Sequence, residues 1–477
     1  MVWERFEEII IGGSMAKITF WGATGTVTGS RFQLEIDDKN VLIDCGLFQG
    51  NKATRLRNWD TFPVDPGSFD HVFLTHAHID HSGYLPKFVK EGFRGDVVTT
   101  AATAELCHVM LKDSAHLQEE DAKWANKRGF SKHSPALPLY NMQDAEKAIP
   151  LLKSVHYGDL YQLSENTRVK FHDSGHILGA ALIDFKTQIN GETRKILFSG
   201  DLGRPEIPVL KDPDQVYNVD YLILESTYGN RRHSDIDGKA ELQRVINESI
   251  KRGGTLVIPA FSVGRTQTLL YLIRELEEDG KIPVIPVYVD SPMAIEALRI
   301  FEDHIFDFDL QARMKKMQGK EIFQPQKLKL CRSKEESMAI NAVQENAIII
   351  SASGMVTGGR ITHHLAKRLP NTQHTVLLIG YQAEGTRGRT IQEKRETVKI
   401  HGQKVPIKAH IEMIDAFSGH ADYTEMLAWL MPFNIKPRKV FIVHGNEAAG
   451  EAMAEHIRKE YNWDVVIPAY GDSFILD

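Results

Sequence analysis

The chain is poor in cysteine, and its three thiols, Cys45, Cys107 and Cys331, stand far apart with no CxxC pair. That excludes a disulfide framework and a cysteine-built zinc finger, and it points to a reducing, cytoplasmic setting. No apolar run is long enough to span a bilayer and no cleavable leader pattern opens the chain, so no membrane partner is expected. An excess of positive charge is missing as well. Lys and Arg number 57 against 63 Asp and Glu, a net charge of -6, so any surface for a polyanion must be local. What remains is a composition of soluble globular type, 42% hydrophobic and 25% charged over 477 residues, enough for two or three domains.

Against that background one stretch stands out: His76, His78, Asp80 and His81 in Leu-Thr-His-Ala-His-Ile-Asp-His-Ser-Gly. Before it, residues 70–75 read as a short apolar strand, and after it Pro86 marks the first turn of a helix. A histidine pair on its own is most often a surface feature. Three imidazoles and a carboxylate packed together where a strand gives way to a helix are a metal-binding arrangement. His76 and His78 share one face of an extended segment, while Asp80 and His81 point elsewhere, so two adjacent ions suit the stretch better than one. Neutral imidazoles with carboxylates favour zinc, with Mn2+ or Fe2+ as substitutes.

The flanking chain repeats this design. Residues 3–10 read as a short helix, and Met15 is the expected start. From Lys17 the pattern is β, and a strand over 40–44 ends in Asp44, which suits an acceptor that orients a metal-bound histidine. His176 follows the strand 169–173, and Asp201 closes the strand 196–200. The stretch 104–152 is helical in pattern with a loop at 131–135. Its His108, His116 and His133 lie at no strand tip and are expected at the surface or in packing.

Between Tyr217 and Ile379 apolar strands (220–225, 255–259, 284–289, 347–351, 375–379) alternate with helices over 240–252 and 265–278. That alternation predicts a parallel sheet with helices on its faces. The expected organisation is a first domain over 15–210 and 396–477, with a second α/β domain over 211–395 inserted into it. Loops of the insert carry glycine and arginine in phosphate-friendly settings: Ser262 and Arg265, Ser353 and Gly354, Arg360, and Arg387 with Arg389. Near the end, His420 stands in Ser-Gly-His-Ala-Asp, and His444 ends the strand 439–443.

Taken together, Asp44, the HxHxDH box, His176, Asp201, Glu225 in Glu-Ser-Thr-Tyr, His420 and His444 in Val-His-Gly follow one another in an order that resembles the β-CASP group of metallo-β-lactamase-fold nucleases. Gly-Tyr-Gln-Ala-Glu-Gly-Thr and Ala-Phe-Ser-Val-Gly-Arg-Thr-Gln are similar to its cleavage-endonuclease-like subgroup, related to the endonuclease of pre-mRNA 3′-end processing. The resemblance implies a metallo-β-lactamase αββα sandwich with an inserted β-CASP domain of parallel-sheet type. It implies one Zn2+ on His76, His78 and His176, a second on Asp80, His81 and His444, and Asp201 between them. It gives His420 the role of proton donor to the leaving oxygen and Glu225 that of holding its other nitrogen. The implied substrate is single-stranded RNA, read by the cleft itself and cut internally, with 5′ exonuclease action and homodimerisation left open. The alternative is a metallo-hydrolase of a small thioester or lactam, which the arginine- and glycine-bearing insert and the missing export signal disfavour.

Overall fold

The computed structural model describes residues 16–129, 134–380, 382 and 384–477. The helix expected at 3–10, the start at Met15, His133 with the loop positions 131–132, and Tyr381 and Ala383 of the Gly-Tyr-Gln-Ala-Glu-Gly-Thr segment lie outside them.

Two seven-stranded mixed sheets form the first unit. One runs, in spatial order, Ser473–Leu476, Ala16–Phe20, Phe32–Ile36, Lys39–Ile43, His71–Phe73, Asp96–Thr100 and Leu152–Val155. The other runs Val465–Val466, Lys439–Val443, Tyr221–Glu225, Glu192–Phe198, Ala181–Ile189, Arg168–Asp173 and Leu160–Gln162. Alternating apolar residues such as Phe20, Phe32, Phe73, Phe171, Phe185, Phe198 and Phe441 point into the space between them. Phe73 meets Phe185 edge to face at 5.2 Å, one of several aromatic contacts across that core. The outer faces are covered by helices. Leu85–Lys90 and Ala101–Arg128 lie in the cluster over the first sheet, while Tyr423–Leu430 and Glu447–Tyr461 bury Trp429, Leu430, Met453 and Ile457 over the second. The result is the αββα sandwich.

A third sheet belongs to the insert. Its order is Leu328–Leu330, Val287–Val289, Ala347–Ser351, Thr255–Pro259, Thr375–Ile379 and His410–Ile414, and every pairing is parallel. The three central strands are buried from end to end because helices cover both faces. Several strands fall on the other side of the expected boundaries, the hairpin of Thr397–Ile400 and Gln403–Pro406 in the insert's core among them. The strand expected at 220–225 forms as Tyr221–Glu225 but pairs with Glu192–Phe198 and Lys439–Val443, so it belongs to the sandwich. Conversely His410–Ile414, beyond residue 395, pairs with Thr375–Ile379 and belongs to the insert. The strand expected at 284–289 shrinks to Val287–Val289, since Pro286 has no N–H for the ladder.

The chain therefore crosses between the units twice, at 226–237 and 415–422. The two crossings run side by side. Tyr228 bridges Asp422, the His233 amide donates to Asp422 Oδ2 at 2.7 Å, and Ser234 Oγ donates to Asp415 Oδ1 at 2.7 Å.

Candidate metal centre

Strand ends of both sandwich sheets converge on one spot. Asp44 and His444 stand one residue past their strands, Glu225 is the last residue of its own, and Asp201 follows a two-residue turn after Phe198. His76 and His78 lie between the strand His71–Phe73 and the short helix Ile79–Ser82, which carries Asp80 and His81. Asp44 (φ 58°) and His444 (φ 50°) adopt a left-handed backbone that is uncommon outside glycine, at a cost of about 1–3 kcal/mol each. Gly46 supports the helix loop from beneath. A Cβ there would stand 1.6 Å from the Asp80 carbonyl oxygen, so only glycine fits.

Seven side chains meet in two groups: His76, His78, His176 and Asp201, and beside them Asp80, His81 and His444. In the first, His76 Nε2 lies 3.1 Å and His176 Nε2 3.2 Å from His78 Nδ1, with Asp201 Oδ2 3.4 Å from both. In the second, His81 Nε2 and His444 Nε2 are 3.1 Å apart and Asp80 Oδ2 is 3.6 Å from His444 Nε2. Four donors around an ion at ~2.0–2.1 Å stand ~3.3–3.4 Å from one another, so these spacings fit a tetrahedral cage. Proton sharing cannot satisfy three nitrogens that all face each other, whereas a cation can. Asp201 Oδ1 is buried without a hydrogen-bond partner, 3.2 Å from His81 Nε2 and 3.3 Å from His444 Nδ1, which leaves it free to serve the second group.

The protonation states of the three histidines of the first group agree. Burial pushes His76 down to about 3 and His78 to about 4, and His176 well below the usual range, so all three are neutral and able to ligate. Burial also opposes charge on His81, but the carboxylates of Asp201 and Asp44 outweigh it and raise its pKa. Desolvation would raise Asp80 and Asp201, yet the neighbouring histidines, His444 foremost, hold both carboxyls below their ordinary value.

The far side of the ring is braced. Asp44 Oδ2 faces His81 Nδ1 at 2.7 Å while its Oδ1 accepts from the Thr75 amide at 2.8 Å. Thr75 Oγ1 meets Asp44 and stands 3.0 Å from His76 Nδ1. His176 Nδ1 donates to the Gly419 carbonyl at 3.1 Å, and Thr227 Oγ1 is 3.2 Å from His444 Nδ1. Such partners fix ring orientation and tautomer. Thr75 and Thr227 are contributors that sequence reasoning missed. Thr75 adjoins His76 and Thr227 stands two positions after Glu225, and that closeness to residues singled out there was the available signal.

His420 is outside the seven. Its Nδ1 donates to Glu225 Oε1 at 3.1 Å and lies 3.9 Å from Asp201 Oδ2. Glu225 is fully buried and anchored by the amides of Leu202 (2.6 Å) and Thr227 (3.2 Å). Burial opposes a proton on His420, but Glu225 and then Asp201 raise it to about 9, so the ring is cationic at neutral pH. With Nδ1 committed to Glu225, Nε2 is the nitrogen left to act.

The insert's expected phosphate loops fare unevenly. Arg360 is bound to Asp290 at 2.8 Å and to the Cys331 and Arg332 carbonyls, and Arg387 donates to the carbonyls of Lys399, Val356 and Thr357. Both guanidiniums hold the insert together. Ser262 faces Ser291, Ser353 faces Thr357, and Gly354 abuts the Phe261 ring. Arg389 pairs with Glu393 at 2.8 Å and lines a cleft of about 440 Å3 between the units, together with Arg231, Arg232 and His233. Of the four arginines Arg265 alone reaches the metal centre. It opens the helix Arg265–Glu278, and its Nη2 lies 2.4 Å from where a Gly419 Cβ would stand, a point 3.1 Å from the His176 ring.

Comparison with known proteins accords with this geometry. The chain matches the metallo-beta-lactamase superfamily over residues 32–150, the Beta-Casp domain over 266–391 and the Zn-dependent metallo-hydrolase RNA specificity domain over 404–468. It is 34% identical to Ribonuclease TTHA0252 of Thermus thermophilus, over 90% of this chain and 93% of that protein. The chain belongs to the β-CASP family of metallo-β-lactamase-fold proteins. A second β-CASP relative by sequence, the RNase J-like protein of Methanocaldococcus jannaschii, is 30% identical over 96% of this chain and 99% of its own length. A crystal structure of a protein of unknown function from Enterococcus faecalis V583 shares the fold at 13% identity, with a TM-score of 0.54 over 97% of this chain and all of the other. The β-CASP centre is a metal site. No helix among the described residues is long and apolar enough to cross a membrane.

Proposed function

We propose that the protein is a zinc-dependent ribonuclease that hydrolyses phosphodiester bonds of single-stranded RNA. The observation that carries the reading is the placement of His420, a cationic ring held by Glu225 at 3.1 Å, against the seven-donor metal centre. A thioester, whose thiolate leaves unprotonated, has no use for a proton donor so placed, and neither a small thioester nor a small lactam calls for a cleft lined by Arg231, Arg232 and Arg389. The names of the two relatives point the same way.

His76, His78 and His176 would hold one Zn2+, and Asp80, His81 and His444 the other. Asp201, with one oxygen toward each group, keeps the halves in register. When bound, a zinc pair supplies hydroxide at neutral pH and positive charge for the phosphoryl oxygens. The chain's own residues do the rest. Asp44 and Thr75 hold His81 and His76 in their ligating tautomers. A water that has released one proton to solvent adds its oxygen to phosphorus, the P–O3′ bond breaks, His420 Nε2 hands its proton to the departing O3′, and the ring regains a proton from solvent. The products are a 5′-phosphate and a 3′-hydroxyl. Glu225 keeps the His420 ring aimed and stabilises its charge until the proton leaves.

The test is a gel assay on 5′-labelled single-stranded RNA with and without a chelator. Cleavage that stops with chelator and returns with Zn2+ is expected, and the ladder of products separates internal cutting from release of single nucleotides. Zinc-loaded protein that leaves RNA intact but opens a thioester or lactam would overturn the reading.

A further inference from the structure

We propose that Arg265 is a catalytic residue whose guanidinium binds the scissile phosphoryl group, so that the insert supplies one of the groups at the reacting centre. The inference rests on the phosphodiesterase reading above.

The fold ties down the insert's other loop arginines. Arg360 has Asp290 and two carbonyls, Arg387 three carbonyls, and Arg389 has Glu393. Across the cleft, Arg204 has Glu425 at 3.0 Å. The Arg265 side chain makes no hydrogen bond or ion pair with any described residue, although it is only partly exposed. Burying part of a cation with no counter-charge is unfavourable unless an anion completes the site.

Its surroundings identify that anion. The guanidinium and the His176 ring border the same space beside the Cα of Gly419, and Gly419 directly precedes His420 in the chain. It thus lies beside one ligand of the first metal group and beside the proton donor. A phosphodiester whose O3′ is within reach of His420 puts its non-bridging oxygens next to Arg265. The planar fork can take two of those oxygens at once, and the charge they gain in the transition state strengthens the contact. Gly419 is part of the device. A side chain there would push either Arg265 or His176 aside, because its Cβ would lie 2.4 Å from Arg265 Nη2 and 3.1 Å from the His176 ring.

The experiment compares Arg265→Ala and Arg265→Lys with the parent holoenzyme on two substrates, single-stranded RNA and bis-nitrophenyl phosphate, with zinc content measured alongside. Arg265 acts on the phosphoryl group, which both substrates have. Arg265→Ala should therefore lose ~10²–10³ in kcat on both while keeping its zinc, and Arg265→Lys should recover part of the loss. Zinc loss in step with activity in both variants would make Arg265 a structural support, and a rise in KM with kcat unchanged would make it a contact to distant backbone. Either result overturns the proposal. If the parent cuts the ester but no RNA, the ribonuclease reading fails while the ester rates still decide for or against Arg265.

Discussion

Replacing His420 by alanine should divide catalysis from metal binding. The ring is outside the seven ligand-type side chains, and its removal leaves Glu225 still bonded to the amides of Leu202 and Thr227. The buried carboxylate therefore keeps partners, and both the fold and the zinc content should survive. The rate should not. Loss of a general acid costs ~10²–10⁴, or about 2.7–5.4 kcal/mol of transition-state stabilisation. The loss falls on O3′, a poor leaving group that needs a proton. A nitrophenyl ester departs without one, so the variant should approach parental rates on that substrate, in contrast to Arg265→Ala. A second substitution sharpens the test. Glu225 acts on the reaction through His420, so Glu225→Gln should slow the parent on RNA yet add little to His420→Ala, a strongly non-additive cycle. Glu225→Gln also places an amide NH2 where a carboxylate oxygen accepted an amide hydrogen, so a stability loss of about 1–3 kcal/mol should accompany it. The assay is single-turnover cleavage of RNA and of the ester, with elemental analysis of each variant. His420→Ala that loses zinc in proportion to activity, or that is slowed equally on both substrates, refutes the assignment of His420 as proton donor.

Purified holoenzyme should contain two zinc ions per chain, and His81→Ala should lose metal and fail on both substrates; a fully active protein with one metal would sink the dinuclear centre. Asp44→Asn removes the acceptor 2.7 Å from His81 Nδ1 and should weaken metal affinity ~10–100-fold, read by chelator competition. RNA binding should weaken steeply as salt rises, since phosphate neutralisation releases counterions, and a flat salt response would exclude the arginine-lined cleft as the RNA path. Asp173, buried beside the His176 loop, is raised from 3.8 to about 7 by desolvation. The folded state then keeps a proton that the unfolded chain releases, so stability falls as pH rises from about 4 to about 7 and is level above. Asp173→Asn should remove that fall, with a gain of at most about 4 kcal/mol that is larger at about pH 8 than at about pH 5.5, and denaturation midpoints showing no such growth would refute it.

The metal-site residues were legible because each is a ligand-type side chain at a strand tip, a pattern local in sequence. The braces were not. Thr75 looks like any threonine at a strand end until Asp44, 31 positions away, is seen to bond to it. The strand Tyr221–Glu225 was misgrouped because an apolar run reads the same in either parallel sheet, and its neighbour Lys439–Val443 comes only after the whole insert. Arg360 and Arg387 prove to be tied into the insert, which the sequence could not show for a related reason. Charge is written in the residue, but whether it is available depends on a partner, and for Arg360 that partner, Asp290, lies 70 positions away.

The order in which the centre is completed matters during synthesis. A nascent chain presents the HxHxDH box, His176, Asp201 and Glu225 first, while the second sandwich sheet still has an open edge at Tyr221–Glu225. The insert must then emerge before His420 appears, and the strand Lys439–Val443 must close that edge before His444 can join the ring. On the ribosome the protein therefore carries neither His420 nor His444 until most of it has been made. A nuclease translated from a message threaded a short distance away would in this way remain blunt toward its own template until its final strands have docked.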